Sequence, residues 1–191
     1  MALRLFPRPR PARRRRPARI AVVTVLVSVL TGSWTTAAHA VPAVDIVCKS
    51  DGQAALSPGL TLNPTPQNFT ISGTQELSLC LDLSGNDIGG GTLQFTGEGE
   101  GSCLTASARI DGTILWDGAP VPPTSTVRFT VALAPLGQSA AISNARVTNG
   151  LFAGDTIVYT VANVASNLPS CLTPTGNTAF GITGTVEFAH L

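Results

Sequence analysis

The sequence predicts an all-β protein, an antiparallel β-sandwich of Ig-like or jelly-roll-like kind with about nine or ten short strands. Three observations lead there. Apolar and polar residues alternate at period two in several windows, and β-branched residues fill many of those positions. No window carries a sustained 3.6-residue apolar stripe with caps, so almost no helix is expected. The 19 Gly and 14 Pro include many that separate the alternating runs, where turns are needed.

Along the chain, the first forty residues read as an address. Met1–Arg19 is cationic, Ile20–Leu30 is apolar, and Ala38-His39-Ala40 places small residues before a cut site. These are the three parts of a secretory signal peptide, and the apolar run falls short of the roughly 20 residues that a permanent span needs. Cleavage is expected after Ala40, leaving residues 41–191 as one domain that starts at Val41. Pro17 follows the Arg15-Arg16 pair, which favours general secretion over the twin-arginine route. Cys48 lies well beyond the apolar run and the C-terminus lacks an apolar tail with a basic stop. A released, extracellular protein with no membrane attachment after cleavage is therefore expected.

Charge supports this division. Of the 12 basic residues, eight lie in the first forty positions, together with none of the 11 acidic ones. From Val41 onward the balance is four basic against eleven acidic side chains, a net charge of about −7. A nucleic-acid partner is excluded, because such a domain needs a basic face to displace counterions from phosphate.

The expected strands are Val44–Lys49, Asn68–Ser72, Glu76–Leu83, Thr92–Thr96, Ala106–Ile110, Thr113–Trp116, Thr126–Leu133, Ala140–Val147, Thr156–Val164 and Gly181–Ala189. Val127, Phe129, Val131 and Leu133 point inward from one of them; Ile182, Val186 and Phe188 do so from the last. Asp111-Gly112 predicts a tight hairpin between two of the strands, and Asn149-Gly150 another turn of that kind. Asp155 and Tyr159, with Val161 behind, stand at the offsets of a tyrosine corner, in which the hydroxyl bonds back to nearby backbone.

Cys48, Cys80, Cys103 and Cys171 have no zinc-knuckle spacing, and in an exported chain an even count reads as two disulfides. Three connectivities are open to four cysteines. Cys48–Cys80 with Cys103–Cys171 is the expected one, because Ile46-Val-Cys48 and Leu79-Cys-Leu81 can neighbour each other by sequential pairing and the other two share a Ser-Cys-Leu-Thr context.

Cys48 with Ser57-Pro-Gly-Leu-Thr61, Cys103, the run Val147–Asp155 containing Gly-Leu-Phe-Ala-Gly-Asp, and Cys171–Gly176 resemble a group of small secreted actinobacterial four-cysteine proteins without an assigned activity. The resemblance covers most of residues 41–191. It implies secretion and an all-β fold, and it brings no site residue with it.

Few catalytic groups remain after Ala40. His190 is the single histidine there and Lys49 the single lysine, and no G-x-S-x-G elbow occurs. Glu98 and Glu100 share a strand face and are the carboxylates a glycosidase reading would use. Asp82, Ser84, Asn86 and Asp87 offer oxygens like the opening of a calcium loop, but the sixth position is Asp87 and the twelfth Leu93, where an EF-hand has Gly and Glu. Ordinary turn chemistry explains the same residues, and no metal or other cofactor is expected. The functional expectation is a secreted, non-catalytic structural or binding protein, its partner an extracellular protein or glycan. The rivals are a small hydrolase or carbohydrate-binding module, and a protease inhibitor presenting Gly118–Thr124, whose prolines also suit a plain inter-sheet connection.

Overall fold

The structure, a computed structural model, describes residues 43–118, 123–135 and 138–190. The expected signal peptide, its cleavage site and residues 119–122 of the proline-rich loop lie outside the described residues.

Eight antiparallel strands are found among the described residues: β1 Ala43–Leu60, β2 Gln67–Asp82, β3 Gly90–Gly101, β4 Ala106–Asp117, β5 Thr124–Ala134, β6 Ser139–Gly150, β7 Thr156–Ser166 and β8 Asn177–His190. Each pairs with the next, and β8 pairs back onto β1, so the sheet closes as an up-and-down barrel in the order β1 to β8. One short 3-10 turn, Leu168–Leu172, precedes β8. The expected antiparallel all-β class is present, but the sandwich of nine or ten strands is corrected to a closed barrel of eight.

Two mergers account for the count. Asn68–Ser72 and Glu76–Leu83 fall in β2, and Ala106–Ile110 and Thr113–Trp116 in β4. The glycines read as turns lie inside these strands. Gly73 and Gly112 sit either side of Phe95 in the cross-strand row Gly73–Phe95–Gly112. A Cβ on Gly73 would meet the Phe95 ring at 2.7 Å and the Gln53 carbonyl oxygen at 2.1 Å, and one on Gly112 would meet Leu93 at 2.7 Å. The Asp111-Gly112 hairpin is likewise corrected: neither residue has the positive φ such a turn demands. Asp111 instead faces outward and meets Arg128 of β5, Nε to Oδ1 at 2.6 Å. The Asn149-Gly150 turn is present as a longer connection, with Gly150 at φ +87° and Leu151–Asp155 leading into β7.

The lumen is apolar, and the outer face is mixed, mostly polar with Leu79, Leu81, Leu115 and Val158 exposed on it. In β4 every second residue from Ala106 to Trp116 is buried, while Ser107, Arg109, Asp111 and Thr113 are exposed. The inward assignments of Val127, Phe129, Val131 and Leu133, and of Ile182, Val186 and Phe188, agree with the structure. Two apolar clusters fill the barrel. One gathers Leu56, Phe69, Ile71, Ile110, Leu133 and Phe180 beside Cys103 and Cys171. The other gathers Ile46, Leu77, Ile114, Trp116, Val147 and Phe188 beside Cys48. Phe95 and Phe129 touch both.

Both disulfides have the expected pairing, Cys48–Cys80 and Cys103–Cys171. The first links the neighbouring strands β1 and β2. The second joins the β3–β4 connection to the 3-10 turn.

Candidate functional site

Between the two clusters the lumen keeps an internal cavity of about 60 Å³. Its wall is almost wholly apolar, with Ile71, Ile110, Val127, Phe129, Ile142 and Ile157 among the lining side chains. Gln53, Gln75 and Tyr159 are the polar residues along it. Gln75 Nε2 donates to the Tyr159 hydroxyl at 2.6 Å, and Ser50 Oγ shares a second hydrogen bond with it at 2.9 Å. Burial pushes the Tyr159 pKa above the ordinary value, and the bonds to Ser50 and Gln75 only partly offset this. The hydroxyl is therefore a neutral hydrogen-bonding group at neutral pH.

This geometry corrects the tyrosine-corner expectation. Tyr159 lies on β7 and its partners on β1 and β2, so the hydroxyl reaches over β8 to them, and no bond to nearby backbone is among its hydrogen bonds. Gly184 of β8 stands between them. A Cβ there would come within 2.9 Å of Tyr159 Cε1, so the missing side chain is what lets the ring lie over β8.

The barrel wall is weakest between β6 and β7. These strands share a single ladder pair, Arg146↔Thr156, whereas β7 and β8 pair from Thr156↔Ala189 to Ser166↔Phe180. In β6 both Ser143 and Asn144 turn outward, with Asn144 at φ +52°, where the pairing with β5 shifts in register. An open groove lies over this seam. Phe129, Ile142, Ala145 and Ile157 line both that groove and the internal cavity. They form a lateral wall of four side chains between lumen and solvent.

The residues singled out in the sequence lie elsewhere. Glu98 and Glu100 face outward from β3, exposed, while Gly97 and Gly99 face the lumen side. Both glutamates line a shallow polar groove with Thr70, Thr96, Arg109 and Asp111, and no aromatic ring lines it to stack on a sugar. Asp82 is the organiser of its own loop. Its Oδ1 accepts from Ser84 N at 2.8 Å and Ser84 Oγ at 2.6 Å, and its Oδ2 accepts from Ile88 N at 3.1 Å. Slight burial works against ionisation, but these donors outweigh it and hold the Asp82 carboxyl below the usual value. Asn86 Nδ2 donates to Ser84 Oγ at 2.8 Å, and Asp87 is exposed at φ +57°. Asp82, Ser84 and Asn86 thus close a turn through their own hydrogen bonds, and Asp87 takes no part in them.

A cluster that the sequence did not disclose lies at the rim. Asp45, Asp155 and His190 each place one oxygen or nitrogen within 4.8 Å of the others, and His190 Nδ1 lies 2.8 Å from Asp45 Oδ2. Burial and the adjacent Asp45 carboxylate push the Asp155 pKa up to about 6, and the bond to Asp45 raises that of His190. Both groups therefore bind protons more strongly in the folded than in the unfolded chain. Their contribution to stability is complete below an unfolded carboxyl pKa of about 4 and an unfolded imidazole pKa of about 6.5, and it is lost as pH rises through the folded values. In metal-free buffer the melting temperature should accordingly fall between pH 5 and pH 8, and Asp155→Asn should flatten that slope. A wild-type melting temperature that rises over this range would contradict the argument.

Compared with family models, with curated proteins and with solved structures, the chain matches none.

Proposed function

We propose that the barrel is a secreted, non-catalytic binding module whose lumen takes a small lipophilic molecule carrying one hydrogen-bonding group, admitted at the β6–β7 seam. The observation that carries this reading is an apolar cavity separated from a surface groove by one layer of side chains, Phe129, Ile142, Ala145 and Ile157, which line both. Eight strands give an interior wide enough for close-packed side chains or for one small ligand. Here the packing stops short of filling it, and Tyr159, which lines the gap, offers a hydroxyl as a handle. The outward residues of β4 include Ser107, Arg109, Asp111 and Thr113, whereas a lipid-facing barrel carries a continuous apolar band there. Two disulfides support an oxidising, extracellular setting. Among the described residues no helix is long and apolar enough to cross a membrane.

The present cavity, about 60 Å³, is smaller than the roughly 150 Å³ void that admits benzene. Occupancy by anything larger needs the seam to part, and that movement breaks few ladder bonds only there. Binding is thus expected to be slow to form and selective for slender molecules. Glu98 and Glu100, exposed on the outer face away from this cavity, favour binding over hydrolysis.

A series of n-alkanols titrated into the purified protein tests the reading. Affinity should rise about fourfold per added CH₂, the equivalent of about 0.8 kcal/mol of burial, until the lumen is full. Tyr159→Phe should weaken each alkanol roughly fivefold, the loss of about 1 kcal/mol from one hydrogen bond. Ala145→Phe should block entry. Affinity that is flat along the series, or unchanged in Ala145→Phe, would sink the proposal.

A further inference from the structure

Three separate parts of the chain converge at the Trp116 end of the barrel. Asp45 is the extra residue of a bulge in β1, where the pairing to β8 steps from Val44↔Ala189 to Ile46↔Phe188. A bulge of this kind re-aims the side chain it inserts. His190 is the last residue of β8. Asp155 ends the β6–β7 connection, where its N–H donates to the Phe152 carbonyl at 3.0 Å and its carbonyl accepts from Val147 N–H at 2.9 Å. The backbone of Asp155 is therefore held in place.

The Asp155 side chain is the anomaly. Asp155 is only 4% exposed, and its Oδ2 is buried without a hydrogen-bond partner. Beside it stand a second carboxylate and an imidazole, with one coordinating atom from each of the three inside a 4.8 Å span. Among the described residues no Lys or Arg forms an ion pair with either carboxylate. A buried carboxylate beside a like charge is costly unless something positive joins it.

We propose that Asp45, Asp155 and His190 form a binding site for a divalent transition-metal ion of the Zn²⁺ type. Two carboxylate oxygens and one imidazole nitrogen suit Zn²⁺, which takes mixed oxygen and nitrogen ligands in a four-coordinate shell. Ca²⁺ and Mg²⁺ favour all-oxygen shells with more ligands, so the histidine argues against them. Three protein ligands leave one position for water. The bound ion ties the start of β1, the end of β8 and the β6–β7 connection into one clamp, closing the rim at the end opposite the Cys103–Cys171 disulfide.

The test is a titration of Zn²⁺ into the chelator-stripped, purified full chain, read by calorimetry and by thermal melting. One ion per chain should bind and raise the melting temperature, while Ca²⁺ or Mg²⁺ at the same concentration should leave it unchanged. Asp155→Asn and His190→Ala should each weaken Zn²⁺ by at least roughly tenfold, the loss that even changes around the ligands cause. Without zinc, Asp155→Asn should melt at or above the wild type at pH 8, because it removes the unpartnered buried charge. That second readout separates loss of the site from loss of the fold. Zinc binding that persists in Asp155→Asn, no shift on adding zinc, or an equal shift with Ca²⁺ overturns the assignment.

Discussion

Replacing Cys103 and Cys171 together by alanine should cost about 4 kcal/mol of stability. The disulfide joins residues 68 apart in sequence, and in the chain-entropy view a loop of that length removes much of the unfolded chain's freedom. In the folded state the bond lies among three connections at one barrel end. Cys103 N–H donates to the Thr61 carbonyl at 2.8 Å, and Leu62 N–H donates to the Cys171 carbonyl at 3.1 Å. The β1–β2 connection is thereby held between the two half-cystines. Both sulfurs are buried against Leu56, Leu60, Ala106 and Leu133, so the double alanine variant also leaves a small void. Urea unfolding should show a lower midpoint together with a steeper slope, because the freed unfolded chain exposes more surface. A loss below about 1 kcal/mol would contradict the entropic account.

Trp116→Ala comes next, with an expected loss of about 3–5 kcal/mol. Trp116 meets Phe188 edge-on at 5.4 Å between ring centres and Phe152 at 5.6 Å. Its indole N–H donates to Ser125 Oγ at 2.8 Å, and Ser125 in turn donates to the Leu151 carbonyl. Both residues are buried, Ser125 completely. Truncation therefore removes an aromatic cluster, opens a cavity and strips a fully buried hydroxyl of one partner. Trp116→Phe keeps most of the packing and loses the hydrogen bond alone, so about 1–2 kcal/mol is expected there. Equal losses for the two variants, measured by circular dichroism melts, would show that packing contributes less than the hydrogen bond.

The rim and the lumen differ in how far the sequence discloses them. Inward positions such as Val127, Phe129, Val131 and Leu133 follow from period-two alternation within one strand. The disulfide Cys48–Cys80 follows from neighbouring strands in sequence, because β1 and β2 pair directly. Asp45 and His190 are different. They come together because the two ends of the chain pair as β1 and β8, and Asp155 joins them only through the β6–β7 connection. An alternation pattern says which face a residue occupies and leaves its partner across a long loop unspecified. Tyr159 illustrates the same gap. Its spacing from Asp155 matched a local motif, while its hydrogen bonds go to Ser50 and Gln75 on strands far away in the chain.

The sequence by itself determined the all-β class, the inward and outward faces of the strands, the near absence of helix and the nearness of Cys48 to Cys80. These depend on local periodicity, on turn chemistry and on contacts between consecutive elements. Only the tertiary structure decided that the sheet closes into eight strands, that Gly73 makes room for the Phe95 ring, that Gly112 lies inside β4 instead of in a turn, and that β6 and β7 part to leave a seam. Closure is the β1–β8 ladder, a pairing between segments more than a hundred residues apart. Its formation depends on the summed twist and bend of every strand between them, and no local window of residues records that sum.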